Sequence, residues 1–182
     1  MSTSLKVLGI CGSLRHNSTN LGMLRYAQAK APEGMEIEIA DLREIPFFVN
    51  DSDPKPAALQ TLLKQFRAAD ALLFACPEYN YSIAPALKNA LDWASREKDN
   101  HLLAGKPAAM FGAGGGMGTS RAQLHLRQVT SALNIHMLNK PEVFANAFSE
   151  SFDKDGNLVD PKIQGYVVKQ LEALLSWSNK VR

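Results

Sequence analysis

The 182-residue chain is poor in several things, and each shortage excludes something. Its cysteines number two, Cys11 and Cys76. Each closes an apolar run, too few for a disulfide framework and suited to buried free thiols in a reducing, cytoplasmic compartment. Charge excess is nearly absent: 20 Lys and Arg against 18 Asp and Glu leave a formal +2. Neither nucleic acid nor an anionic membrane surface is therefore expected as a partner. No apolar run approaches the roughly 18 residues of a membrane span, so no membrane insertion is expected. The start "MSTSLKVLGICGS" lacks the basic and long apolar regions of a signal peptide. Repeats, linkers and low-complexity stretches are missing too. What remains is an ordinary globular composition, 46% hydrophobic and 21% charged, long enough for one domain over residues 1–182 with a substantial core.

Short apolar runs alternate with longer amphipathic segments. "LKVLGI" (5–10), "MEIEIA" (35–40), "ALLFAC" (71–76) and "KPAAMFG" (106–112) read as strands, and a short fifth falls at "IHML" or "EVFA". Helical spacing marks Asn20–Lys30, residues 56–69, 84–96, 120–133 and the closing segment "DPKIQGYVVKQLEALLSWSNKV". "DLREIPFFVND" reads as a loop and "FDKDGNL" (152–158) as a polar turn. Five strands, each followed by a helix or loop, imply an α/β fold with an open parallel sheet covered on both faces. Ligands of such sheets sit beyond the carboxyl ends of the strands, where strand order reverses. The loops after strands one, three and four are the places to look.

The first loop, "GSLRHNSTN", offers Ser13, Arg15, Ser18, Thr19 and Asn20 as hydrogen-bond donors and leads into a helix N-terminus, which favours an anion. It has neither the G-x-G-x-x-G of dinucleotide folds nor the Gly-Lys-Ser/Thr of a Walker loop, so a terminal phosphate monoester fits it best. A plain cap and turn would explain one of these residues, not Arg15 and the others. The third-strand loop, "CPEYNYS", sets Tyr79, Tyr81 and Asn80 where an apolar strand stops; it suits an aromatic ligand, or else a tyrosine-decorated turn. The fourth-strand loop, "GAGGGMGTSR", has five glycines in residues 112–118. Recognition there must come from backbone N–H groups, for a developing anion or a phosphate, unless the loop is merely slack. Together the three loops describe a site for flavin mononucleotide, with phosphate on the first and isoalloxazine on the others.

With those residues in view, the sequence resembles the NAD(P)H-dependent FMN reductase family, and more narrowly its soluble quinone reductases, which include chromate and azo-dye reductases. The matching stretches are "GSLRHNSTN", "PEYNYSIAPALKNALDWASR", "LAGKP", "RAQLHLRQV" and "NKPEVF", and "FDKDGNLVD" extends the likeness to plant-like members. The resemblance implies a flavodoxin-like three-layer sandwich with a five-stranded parallel sheet in the order 2-1-3-4-5. It also implies FMN as cofactor, NADPH or NADH as electron donor, two-electron reduction, and a homodimer or homotetramer with active sites near a subunit interface. Carried over by position, Ser13, Arg15, Ser18, Thr19 and Asn20 would hold the phosphate. Pro77, Glu78, Tyr79 and Asn80 would border the ring and ribityl chain, and Ala113, Gly114, Gly115 and Gly116 would face the pyrimidine side. Relatives often carry serine or threonine in this last loop; this chain has "GAGGGMG" and must rely on backbone contacts.

The expected reaction passes hydride from NAD(P)H through FMN to a small-molecule acceptor, a quinone or an azo, nitro, free-flavin or chromate compound, in ping-pong order. The flavin carries the chemistry, so neither a catalytic triad nor a metal is expected. His16, His101, His125 and His136 are scattered and read as surface or structural, as do Asp92 and Glu142. Tyr81 and Arg121 are candidates for substrate or interface contacts. Leu87, Leu91 and Trp93 lie on more than one face of their helix, which points to a partner subunit covering part of it. The competing class is a flavodoxin-type FMN electron carrier without turnover of its own; such carriers tend to be strongly acidic, unlike this chain.

Overall fold

In the computed structural model, residues 4–50, 54–98 and 101–181 are described. Asp51, the last residue of the expected "DLREIPFFVND" loop, lies outside them. In chain order the elements are β1 (Leu5–Cys11), α1 (Thr19–Ala29), β2 (Met35–Ile39), α2 (Ala57–Ala68), β3 (Ala71–Ala75), β4 (Glu78–Tyr79), β5 (Ser82–Ile83), α3 (Pro85–Ser95), β6 (Pro107–Gly114), α4 (Ser120–Ala132), β7 (His136–Met137), β8 (Val143–Asn146) and α5 (Pro161–Val181).

The main sheet is parallel, in the order β2-β1-β3-β6-β7, with β8 also paired to β6. This is the expected 2-1-3-4-5 arrangement. The fifth position is shared: both "IHML" and "EVFA" contribute, β7 beside Pro107 and Ala108 and β8 beside Phe111 to Gly114. Period-two alternation then sorts side chains to the two faces. Leu8, Ile10, Leu72 and Phe74 join the core under α2, α3 and α4, with Phe66, Leu87 and Leu126. Val7, Leu73 and Phe111 join the other core under α1 and α5, with Met23, Leu24, Val167 and Leu171. Helices on both faces make the three layers, and β3 and β6 are continuously apolar because water reaches neither side.

One expectation fails. Leu87, Leu91 and Trp93 of α3 are all buried within the single chain. Trp93 stacks edge-on against Phe48 at 5.0 Å and donates its indole N–H to the Pro46 carbonyl at 2.8 Å. The loop after β2 folds over α3 and covers the face assigned to a partner.

Two features shape the carboxyl end of the sheet. Residues 78–83 form a two-stranded hairpin rather than a plain loop, turning through Asn80 and Tyr81 with φ of 48° and 64°. Positive φ at both central positions is the geometry that matches strand twist, and asparagine tolerates it well. Behind α1, the turn 152–158 packs so closely that a Cβ on Gly22 would lie 1.8 Å from the Gly156 carbonyl oxygen. Asp153 holds this turn by accepting from the backbone N–H groups of Asp155 and Asn157 at 2.9 and 2.8 Å. Its carboxyl is thereby held below the usual range, the Asn157 side chain first among the causes.

Candidate active site

The three loops singled out in the sequence converge beyond the ends of β1, β3 and β6, and hydrogen bonds tie them pairwise. The Tyr79 hydroxyl donates to Ser13 Oγ at 3.3 Å, joining the hairpin to the first loop. Asn20 joins the first loop to the fourth: its Nδ2 donates to the Ala113 carbonyl at 2.8 Å and its Oδ1 accepts from the Ala113 N–H at 3.0 Å. Both ends of that buried carboxamide are thus committed inside the protein, and so is the Ala113 N–H. Asn20 acts here as a clamp between α1 and β6.

Glu78 makes the third tie. Its carboxylate accepts from the Arg121 side chain at 2.7 Å (Nε) and 2.6 Å (Nη2), and from the backbone N–H groups of Arg121 and Ala122 at 3.1 and 3.2 Å. The Glu78 side chain is 6% exposed. An anion supplied by the hairpin therefore occupies the N-terminus of α4 and pairs with that helix's own arginine. The Arg121 guanidinium in turn lies 3.7 Å from the centre of the Tyr81 ring, a cation–π contact. His125 Nδ1 and the Ser82 hydroxyl are 3.1 Å apart, pinning the second strand of the hairpin to α4.

The N-terminus of α1 is arranged differently. Ser18 is its cap, accepting from the Leu21 N–H at 3.2 Å, and its first turn carries no acidic residue. Ser13 and Ser18 are buried, Thr19 is half-buried and Arg15 reaches into solvent. A hydroxyl-lined helix start with an exposed arginine and no protein carboxylate fits a phosphate. The start of α4, already filled by Glu78, does not. Facing the hairpin, Gly115 and Gly116 have open space where a Cβ would stand, so a flat ring has room to approach their backbone. Pro77 is buried at the foot of the hairpin, while Tyr79, Asn80 and Tyr81 are exposed beside it.

These features belong together in a family whose model matches residues 5–150, described as NADPH-dependent FMN reductase. The chain belongs to that family. It is 49% identical over its whole length, and the whole length of the relative, to a Pseudomonas aeruginosa protein named NAD(P)H-dependent FMN reductase. It is 44% identical to an NAD(P)H:quinone oxidoreductase of Solanum tuberosum, covering 98% of this chain and 95% of that one. Among solved structures, the flavoenzyme NAD(P)H:(acceptor) oxidoreductase FerB from Paracoccus denitrificans superposes with a TM-score of 0.86 at 29% identity, over 97% of this chain and 98% of that one. The fold is flavodoxin-like. The chain is an NAD(P)H-dependent oxidoreductase with FMN as its cofactor.

Cys11 and Cys76 are buried free thiols. Burial, then the charge of Glu78, pushes the Cys76 thiol up to about 12. Asp92 pairs with Lys88 one helical turn away, and Glu142 with Lys140. No group of three or more metal-ligating side chains occurs among the described residues, nor a helix long and apolar enough to cross a membrane. Sequence reasoning missed the Glu78–Arg121 pair. The acid and the arginine stand 43 positions apart and only the hairpin brings them together.

Proposed function

We propose that this FMN reductase transfers two electrons from NAD(P)H to quinone-type acceptors in ping-pong order, the donor and the acceptor using one face of the ring in turn. FMN, when bound, supplies the hydride relay between them. In this reading Arg15, Ser13, Ser18, Thr19 and the free N–H groups at the start of α1 grip the phosphate. Tyr79, Asn80 and Pro77 flank the ring. Gly114, Gly115 and Gly116 turn their backbone towards its pyrimidine edge, where N–H groups favour negative charge. Asn20 and Glu78 act one layer out: they fix the first loop to the fourth and the hairpin to α4, so that the three walls keep their spacing without a ligand. Azo, nitro, free-flavin and chromate acceptors fit the same open face.

The observation that carries this reading is the contrast between the two helix starts. One holds a carboxylate of its own chain, and the other is built of hydroxyls beside an exposed arginine. The proposal includes a cytoplasmic homodimer or homotetramer. Its two free thiols suit a reducing compartment, and Tyr81, Met117 and Leu124, exposed around the hairpin and α4, offer a second copy apolar surface.

Steady-state kinetics test it. Double-reciprocal plots against NADPH at several quinone concentrations are expected to be parallel, with hydroquinone as direct product. Intersecting lines, or FMN reduction by NADPH without multiple turnovers on quinone, would overturn the proposal and favour the electron carrier.

A further inference from the structure

A further cleft lies away from the space between the hairpin and the glycine loop. It has a volume of about 520 Å³ and lies on the opposite flank of the first loop, between that loop, α1 and the loop after β2. Its wall includes Ser13, Arg15 and Arg25 on one side and Asp41, Leu42 and Arg43 on the other. Arg15, Arg25 and Arg43 line it together with Asp41; with Arg15 given to the FMN phosphate, Arg25 and Arg43 remain for a second anion. Arg25 donates from Nη2 to Asn157 Oδ1 at 3.0 Å, and its charge also acts on the Asp153 carboxylate. Arg43 grips Asp41 through Nε and Nη2, and Nη1 takes no part in that pair. Part of the lining is apolar: Leu14, half exposed, and Leu21 come from the first loop and α1, Ile39 and Ala40 from the end of β2 and just beyond. A phosphate alone would need only the arginines; a flat ring with a phosphate attached uses both. The volume lies within the range of small-molecule sites, about 300–1,000 Å³.

We infer that this cleft is a subsite for an adenosine phosphate, Arg25 and Arg43 holding the phosphate and the apolar lining the adenine. The inference rests on the donor reading above, which brings one adenosine phosphate to the site, the 2′-phosphate end of NADPH. Continuity favours it. Ser13 belongs both to the cleft and, through its bond from Tyr79, to the hairpin wall of the flavin site, so one extended molecule spans the two. Arg43 discriminates in this arrangement, and Asp41 opposes it by neutralising part of its charge.

Calorimetric titration of the FMN-loaded protein with adenosine 2′,5′-bisphosphate, 5′-AMP and inorganic phosphate tests the subsite, in the native chain, Arg43→Gln and Asp41→Asn. The bisphosphate is expected to bind, about tenfold more weakly in Arg43→Gln, the effect of one charge-assisted contact. It is expected to bind more tightly in Asp41→Asn, a change of opposite sign that damage to the fold would not produce. If the donor is the occupant, Arg43→Gln also lowers the NADPH-over-NADH ratio of kcat/KM by a similar factor. An apoprotein that prefers FAD to FMN, with the preference lost in Arg43→Gln while the donor ratio stays put, overturns the assignment to the donor. Absence of bisphosphate and AMP binding at millimolar concentration, or binding indifferent to both substitutions, overturns the inference. Inorganic phosphate binding as tightly as the bisphosphate overturns its adenosine part. FMN affinity and quinone turnover with NADH are read separately. Their failure, with bisphosphate binding still responsive to both variants, would sink the proposed activity and leave the subsite standing.

Discussion

Two helices begin at the same edge of this sheet, and they begin in opposite ways. α4 starts against a carboxylate of its own chain, with Glu78 accepting from two of its first N–H groups and from Arg121. α1 starts with a serine hydroxyl and no acid in its first turn. Every helix N-terminus carries the same partial positive charge, so geometry alone does not say which one takes a ligand's phosphate. The neighbours decide: a start that already holds an anion has no use for another. The glycine-rich approach to α4 looks like a phosphate loop in sequence and is not free to serve as one.

That contrast can be attacked directly. The largest effect is expected from Glu78→Ala, which leaves two N–H groups and a guanidinium without their acceptor. Breaking a buried pair costs about 3–5 kcal/mol. Arg121 is 41% exposed, so the lower figure, about 3 kcal/mol, is expected, read as a shift of the urea midpoint. An unmoved midpoint would mean that α4 tolerates an empty start as well as α1 does. Next comes Arg15→Ala, expected to weaken FMN by about 1.5–3 kcal/mol through loss of one charge-assisted contact while leaving riboflavin affinity alone. Fluorescence quenching of the two flavins separates the outcomes, and equal losses for both would move the phosphate elsewhere.

The contrast continues beneath the helices, in the two thiols. Burial raises Cys11, and Ser18 and Arg25 offset part of the rise; burial and the Glu78 charge act together on Cys76. A thiol whose folded value is raised favours the folded state fully below its ordinary value. That advantage is lost as pH climbs from about 9 towards the folded value near 12, because only the unfolded chain ionises. Stability is expected to fall by about 1.4 kcal/mol per pH unit through Cys76 in that window. Cys76→Ser should flatten the decline, followed by chemical denaturation at pH 9, 10 and 11. A smaller effect, about 1 kcal/mol, is expected from Ser18→Ala, the usual worth of an N-cap hydroxyl; circular dichroism during thermal melting reads it. Smallest in stability is Gly115→Val: with open space at its Cβ, the change should lie within about 0.5 kcal/mol. Turnover should nonetheless drop, since the new side chain stands where the ring approaches. Loss of stability with full turnover would place the ring on another wall.

Much of this was legible in the sequence because it rests on local pattern. Continuous apolar runs gave β1 and β3, helical spacing gave α2 and α4, and both candidates for the fifth strand proved right because β6 is long enough to pair with each. What escaped was anything set by contacts between distant segments. Leu87, Leu91 and Trp93 spread around α3 as if awaiting a partner, yet the loop carrying Pro46 and Phe48 covers them, and no periodicity announces where a loop will fold. Asn20 reads as a donor for a ligand, and its ties to Ala113 through both ends of the carboxamide carry no sequence signal. Glu78 reads as part of a binding loop until the hairpin turn delivers it to α4.

The Asn20–Ala113 clamp bridges 93 positions, and this bears on how the protein is made. While the ribosome is still adding β6, the first loop has already emerged but its mate has not. Its hydroxyls and arginine face water with nothing to hold them in register. Non-local contacts of this kind form late, after the closure entropy of the intervening chain is overcome. The pocket is therefore completed near the end of folding, and a nascent chain halted before Ala113 emerges should be unable to retain flavin.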